Sequence, residues 1–266
     1  HVVICVLDSW SSLYLEKRHP FRHDQSVMPN VEKYFSRGLR APNGYSSGEW
    51  TLPAISSLFT GVFAGKHKIV HPKNWSEFPL ERKTLPEYFQ NLGFHTLLGS
   101  CVSRVTPAFG HLRGIDRFLY HFPSYSEDTY HPALWIDELT GHLESHYYSK
   151  TFSYFHFPDP HPIWDNPKES RYFSLGRSGS TQLNLKRLLR GKSSSSELRA
   201  SREQLYLLKL AEIDRTLGTL FEYVEREFGN DALVIATSDH GLRMPYEAEY
   251  ERNHPYLKDR RVQIPL

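Results

Sequence analysis

The chain alternates between two kinds of hydrophobic pattern. In the first, apolar residues run without a break: Val2, Val3, Ile4, Cys5, Val6 and Leu7 fill residues 1–7 and stop at Asp8. A run of this kind predicts a strand buried on both faces, and further strands are predicted over 39–45, 94–101, 151–157 and 231–237. In the second, apolar residues recur every three or four positions. Residues 202–228 carry Leu205, Leu208, Ile213, Leu217, Leu220, Val224 and Phe228 at that spacing, which predicts a long amphipathic helix stopped by Gly229-Asn230. Shorter helices are predicted over 28–38, 51–61, 84–93 and 130–148, the third opened by the capped start Thr84-Leu85-Pro86-Glu87. Strands alternating with helices in this order predict an α/β fold, a three-layer sandwich around a largely parallel central sheet.

Three stretches follow neither pattern. Residues 65–82, rich in Lys and His, read as a loop, and 102–123 as an irregular segment holding Arg104 and Arg113. Residues 164–200, with Gly176-Arg177-Ser178-Gly179-Ser180 and the serines at 193–196 around a basic patch, read as a flexible insertion. At 266 residues and 39% hydrophobic content the chain suffices for one large core, so residues 1–266 are expected to form a single domain. The net charge of +2 gives no ground for nucleic acid or an anionic membrane as partner. No apolar run approaches the roughly 18 residues that span a bilayer, so membrane association is expected only from segments outside these residues. Cys5 and Cys101 sit in apolar runs and read as buried free thiols, which leaves the redox compartment open. Asn74-Trp75-Ser76 fits an N-glycosylation acceptor, which matters only in a secreted protein. The chain starts without Met and stops in the strand-like residues 262–266, so a domain taken from a longer protein is expected.

Candidate chemistry gathers where these patterns break. In open α/β sheets the ligand crevice lies at the carboxyl ends of the strands, which is where Asp8 and Ser238-Asp239-His240-Gly241 fall. Thr51 reads as the N-cap of its helix, where the dipole and free N–H groups attract an anion such as phosphate or sulfate. Three oxygen donors (Asp8, Thr51, Asp239) and one imidazole (His240) make a mixed set that suits Zn²⁺ or Mn²⁺ better than an all-oxygen Ca²⁺ cage. A divalent ion touching Thr51 would lower the pKa of its hydroxyl, which no adjacent side chain does in the sequence. Asp159 and His161, just past a strand, form a further catalytic or ligand pair.

These residues resemble the alkaline phosphatase superfamily in its sulfatase-like branch. The resemblance is carried by Asp8 after the first strand, Thr51-Leu52-Pro53-Ala54 through Leu58-Phe59-Thr60-Gly61, and Ser238-Asp239-His240-Gly241, and it runs over nearly the whole chain. Met28-Pro29-Asn30 to Gly38 resembles the helix after the metal loop, Asp159-Pro160-His161-Pro162 the substrate-side histidine motif, and Ile213-Asp214 with Leu217-Gly218 the helix before the last metal strand. An alkaline phosphatase-like fold and one sulfatase-like catalytic domain are what the resemblance implies. Sulfatases of the branch carry Cys or Ser, converted to formylglycine, and an Arg shortly after it; here Thr51 and Ile55 stand there. The double Asp after the first strand is here Asp8-Ser9, the Lys-bearing motif near Gly99-Ser100-Cys101 is absent, and Leu242 follows Asp-His-Gly where the branch often has Glu.

A threonine cannot become formylglycine, so the pattern is more similar to the threonine-nucleophile members: lipoteichoic acid synthases, phosphoethanolamine transferases and phosphonate or phosphodiester hydrolases. That resemblance implies a phosphoester hydrolase or phosphotransferase working through a phospho-threonine intermediate. It implies Asp8, Thr51, Asp239 and His240 as ligands of one divalent ion, Zn²⁺ or Mn²⁺ (Ca²⁺ in a sulfatase), with Thr51 also the nucleophile. His161 and His254 are implied as substrate contacts or as the acid that protonates the leaving group. The expected partner is an anionic ester substrate, and the resemblance favours an extracytoplasmic or membrane-anchored setting. A sulfate-ester hydrolase of the same fold and an inactive binding module are the two alternatives.

Overall fold

The computed structural model describes residues 1–41, 43–70, 81–120, 132–161, 195–242 and 259–266. In chain order the described elements are β1 (Val2–Leu7), β2 (Arg18–His19), β3 (Arg22–Ser26), α1 (Pro29–Tyr34), β4 (Gly44–Tyr45), α2 (Thr51–Thr60), α3 (Ala64–His67) and α4 (Leu85–Asn91). They continue as β5 (His95–Ser100), β6 (Arg117–Tyr120), α5 (Pro132–Ser145), β7 (Thr151–Phe157), α6 (Ser195–Glu227), β8 (Leu233–Ser238), α7 (Asp259–Val262) and β9 (Gln263–Ile264). Five strands form the central sheet in the order β6-β5-β7-β1-β8, and every pairing within it is parallel. The predicted α/β sandwich is therefore the one observed.

Parallel strands need cover on both faces, and the apolar runs are long enough to supply it. On one face, Val3, Cys5, Leu7, Phe155 and Phe157 pack with residues of α1, α5 and α6. On the other, Ile4, Val6, Leu98, Phe152 and Tyr154 pack against Leu52, Ile55 and Phe59 of α2. Gly99 on β5 is required by the first of these layers, because a Cβ there would sit 2.6 Å from the Phe155 ring and 2.7 Å from Trp135. Cys5 and Cys101 are buried free thiols, and burial pushes the Cys5 thiol up to about 12.

Two motifs far apart in sequence meet in this layer. Asp214 of α6 accepts hydrogen bonds from the backbone N–H groups of Asn30 and Val31, at 3.1 and 2.9 Å, and from Asn30 Nδ2 at 2.8 Å. It thereby caps α1, whose own flanking residue Met28 offers no side-chain cap. Gly218, one turn on, leaves room for the Asn30 side chain, which a Cβ would approach to 2.7 Å. The capping box predicted at Thr84 is present: Glu87 N donates to Thr84 Oγ1 at 3.3 Å, and Thr84 N donates to Glu87 Oε2 at 2.7 Å.

Elsewhere the structure differs from the pattern. The long helix begins at Ser195, seven residues before the predicted start at 202, because polar residues extend a helix without contributing to an apolar stripe. The strand expected over 39–45 reduces to Gly44–Tyr45, which pairs antiparallel with Gln263–Ile264. The segment 102–123 contributes an edge strand, β6, half-exposed and too short to show alternation. The loop expected over 65–82 holds the end of α3. Residues 71–80, with Asn74-Trp75-Ser76, and the part of the expected insertion at 164–194 lie outside the described residues. Among the described residues no helix is long and apolar enough to cross a membrane.

Replacing Asp214 with Ala leaves buried N–H donors at the start of α1 without acceptors, and is expected to cost about 2 kcal/mol, read as a lower denaturation midpoint at unchanged slope. His142 of α5 is 3% exposed, and burial, with His146, Arg117 and His95 nearby, pushes its imidazole down to about 4. Its neutral form is favoured by folding, so its contribution is complete above the unfolded value near 6.5 and is lost as pH falls toward 4. Acid unfolding should therefore steepen by up to about 1 kcal/mol per pH unit in that window, and His142→Phe should flatten it.

Candidate active site

The register of the adjacent strands β7, β1 and β8 brings the acidic strand ends together. Val6 of β1 lies level with His156 of β7 on one side and Thr237 of β8 on the other. Side chains alternate along a strand, so Asp8, two residues past Val6, and Asp239, two past Thr237, emerge on the same face as Val6 and His156. That face is the one covered by α2, which begins with Thr51. Sequence-distant carboxylates, an imidazole and a hydroxyl thus reach one place because the strands that carry them are neighbours.

The turn after β1 is held in a conformation that few side chains adopt. Ser9 has φ 66°, a left-handed backbone unusual for a residue with a Cβ. It is kept there from several directions: Ser9 N donates to Asp239 Oδ1 at 3.1 Å, Ser9 Oγ to Asp8 Oδ1 at 3.1 Å, and Tyr206 OH to Ser9 O at 2.7 Å. Ser238 ties the two strand ends together, its Oγ accepting from Trp10 N at 2.9 Å and lying 2.7 Å from the carbonyl oxygen of Leu7. On the far side, Ser46 Oγ donates to the carbonyl oxygen of Asp239, and buried Arg261 pairs with Glu49 two residues before Thr51. Gly241 N donates to Arg261 O at 2.6 Å, so the loop bearing Asp239 and His240 is anchored to the chain next to Thr51.

Within this frame His240 Nε2 lies 3.4 Å from Asp239 Oδ2, 3.6 Å from Asp8 Oδ1 and 3.5 Å from Thr51 Oγ1. Its Nδ1 is 2.8 Å from Gly241 O, so Nδ1–H donates there and the lone pair of Nε2 faces the carboxylates. His156 Nε2 lies 3.6 Å from Asp8 Oδ2 and 3.8 Å from Asp239 Oδ2. Ligand atoms of Asp8, His156 and Asp239 all fall within 4.8 Å of one another, the only such group of three or more among the described residues.

The electrostatics are those of a cation site. Burial on its own raises the Asp8 pKa, but His161, His156 and His240 nearby outweigh it and hold the carboxyl below its usual range. Burial works against the His240 imidazolium, and Asp239 and Asp8 more than offset it, so its pKa is raised. Tyr154, fully buried behind them, is raised far above the phenol range by burial and by Asp239 and Asp8. Two carboxylates side by side at 3% exposure repel each other unless positive charge sits between them. Asp239 Oδ2 is buried without a hydrogen-bond partner. An ion held at about 2.1 Å by tetrahedrally placed atoms sets those atoms about 3.4 Å apart, close to the separations from His240. The residues fit a divalent ion.

Asp8, Thr51, Asp239 and His240 are thus brought together. Thr51 is the first helical residue of α2 and not its cap; Trp50 takes that position, and the Thr51 side chain caps nothing. Its hydroxyl faces His240 instead, because an extended Trp50 already carries the chain into the helix. His161 is exposed, at the tip of the turn after β7, where its N–H donates to Pro158 O at 2.9 Å. Buried Lys209 of α6 donates to His161 O at 2.9 Å and lies 3.7 Å from Asp159 Oδ1, which fixes that turn over the strand end. His254 lies outside the described residues. His156 is the residue that the sequence pattern passes over, since a histidine inside an aromatic run reads as part of the strand. Its signal is a titratable side chain at the chemical end of a strand otherwise fully apolar at that end.

A family model described as Sulfatase matches residues 1–266. No curated protein matches the chain. Among solved structures, the chain is similar to the lipoteichoic acid synthase LtaP from Listeria monocytogenes, with a TM-score of 0.69 and 14% identity, over 100% of this chain and 64% of that one. It is similar to the phosphonate monoester hydrolase of Agrobacterium radiobacter, with a TM-score of 0.71 and 16% identity, over 100% of this chain and 67% of that one. It is also similar to the C-terminal periplasmic domain of EcEptC from Escherichia coli, in complex with Zn, with a TM-score of 0.67 and 14% identity, over 99% of this chain and 71% of that one. The chain thus spans about two thirds of the length of these neighbours.

Adding Zn²⁺ or Mn²⁺ to metal-stripped protein at about a hundredfold over its dissociation constant should stabilise it by about 2.7 kcal/mol. Asp239→Asn should abolish that increment in thermal unfolding.

Proposed function

The chain belongs to the sulfatase family, and from that premise we propose that it is a metal-dependent phosphoester hydrolase or phosphotransferase with Thr51 as nucleophile. The coarser class, a sulfatase-like member of the alkaline phosphatase superfamily acting on phosphate or sulfate esters, is that of the family and of the neighbouring structures. The observation that carries the finer reading is the position of Thr51 Oγ1, buried at the mouth of α2 and 3.5 Å from His240 Nε2 beside two buried carboxylates. Asp8, Asp239, His240 and Thr51 would hold one divalent ion, Zn²⁺ or Mn²⁺. When bound, it supplies Lewis-acid charge that lowers the pKa of the Thr51 hydroxyl and offsets charge on the transferring group.

The remaining work falls to the protein's own groups. The first N–H groups of a helix have no intrahelical partner, and with Pro53 lacking one, those of Thr51 and Leu52 are the donors left to face the phosphoryl oxygens. Thr51 Oγ1 forms a bond to phosphorus, its proton passes to water, and the bond from phosphorus to the ester oxygen breaks. The departing oxygen takes a proton from His161, on the turn held by Lys209. The phospho-threonine is then consumed by water or by an acceptor alcohol, which returns Thr51 to its starting state. His254 is proposed as a second substrate contact. The substrate is an anionic ester, because the bound ion and the helix N–H groups would together surround its reacting atom with positive charge.

Phosphate is favoured over sulfate by the residue at position 51. A threonine gives no formylglycine, so the route that sulfatases of the branch take to sulfate esters is closed here.

Aryl phosphate, aryl phosphodiester, aryl phosphonate and aryl sulfate compared as substrates of the Zn²⁺- or Mn²⁺-loaded protein test the reading. Turnover of phosphorus esters, with a phosphoryl group trapped on Thr51 and a loss of about 10³-fold or more in Thr51→Ala, is expected. Preference for the sulfate would overturn it.

A further inference from the structure

We propose that His156 is a ligand of the same ion and makes the site selective for a borderline transition metal over Ca²⁺. The inference rests on the metal-dependent reading above but not on the identity of the substrate. His156 is 2% exposed, in the middle of the central sheet, where nothing but a specific partner keeps an imidazole from being replaced by an apolar side chain. One ring nitrogen has that partner: Nδ1 is 3.0 Å from Tyr154 OH. The other has none, since Nε2 is buried without a hydrogen bond although two carboxylates flank it.

The spacing identifies what Nε2 is set up to meet. Were Nε2 to carry a hydrogen, a buried N–H beside a carboxylate would close to about 2.8 Å; it stands off at 3.6 Å from Asp8 and 3.8 Å from Asp239. That stand-off is the separation of atoms gathered around a common cation, not of a donor and its acceptor. In the tautomer that metal ligation requires, Nδ1–H donates to the Tyr154 oxygen 3.0 Å away, and the lone pair of Nε2 faces the same carboxylates as that of His240. The two imidazoles approach Asp8 through different oxygens, His156 through Oδ2 and His240 through Oδ1.

The consequence is a donor set of two imidazole nitrogens, two carboxylates and the Thr51 hydroxyl. Ca²⁺ takes six to eight oxygen ligands and gains little from nitrogen, whereas Zn²⁺ and Mn²⁺ sites accept imidazole readily. A site with one histidine only tilts the choice toward such ions. A second one, on the middle strand of the five-stranded sheet, decides it. Tyr154 acts as the outer partner that sets the tautomer and orientation of His156.

The test uses the full chain stripped of metal and reloaded. Pulsed electron paramagnetic resonance on the Mn²⁺-loaded protein counts coordinated imidazole nitrogens, and calorimetric titration with Zn²⁺ and with Ca²⁺ measures selectivity. Two coordinated imidazoles are expected in the wild type and one in both His156→Ala and His156→Gln, the second retaining bulk and polarity should the first fail to fold. Zn²⁺ affinity is expected to fall about 100-fold in His156→Gln and about 10-fold in Tyr154→Phe, with Ca²⁺ affinity unmoved. A single imidazole in the wild type, Zn²⁺ affinity unchanged in His156→Gln, or a chain that takes up neither ion overturns the inference, whatever esters the protein cleaves. Two imidazoles in a protein that cleaves no phosphorus ester support it and count against the proposed reaction alone.

Discussion

Two buried carboxylates that repel one another hold the key position in this molecule. Asp8 and Asp239 leave adjacent parallel strands at the same level and on the same face, and the chain keeps them there with hydrogen bonds to one of them from each side. Ser9 N and His240 N both donate to Asp239 Oδ1, at 3.1 and 2.8 Å. Folding against such repulsion is worthwhile only where a cation is to be held. The left-handed Ser9, the Tyr206 clamp and the Ser238 bridge are the local cost of holding them, in a turn that would otherwise relax.

The rest of the fold is arranged in layers around that pair. The neighbouring strands β7, β1 and β8 supply the acids and His156, and apolar layers pack on both faces of the sheet. The hydroxyl comes from the first turn of α2, whose body packs into the sheet through Leu52, Ile55 and Phe59, so it cannot drift far from the carboxylates. His161, the exposed group proposed to protonate the departing oxygen, sits on the turn beyond the end of β7. The turn with His161 is itself tied down by Lys209, a buried cation from the long helix. A charge centre built at the strand ends, with substrate contacts on turns beyond them, leaves the choice of substrate to the turns.

Much of this was legible in the linear chain. The uninterrupted apolar runs announced a parallel sheet because strands covered on both faces have no polar side to show. Asp8, Thr51, Asp239 and His240 stood out because each follows or opens a regular element, where α/β folds place ligands. The capping box at Thr84 was readable for the same reason, its partners being three residues apart. By contrast, β6 and the β2–β3 hairpin were invisible, since short exposed strands carry no periodicity. Thr51 is the first helical residue and not the cap that its residue type predicts, and its side chain is turned toward His240.

What the sequence determined by itself was therefore the fold class, the order of its elements and the residue types available at the strand ends, all consequences of local hydrophobic period and chain direction. What only the tertiary structure decided was adjacency. That β1 lies between β7 and β8 depends on strand order, which no local pattern encodes, and it is this order that sets His156 against the two acids. The same holds for Asp214, which caps a helix 183 residues away along the chain, and for Arg261, which reaches Glu49 across 212. Contacts of that span come from the packing of whole layers, so their meaning emerges only when the sheet is assembled.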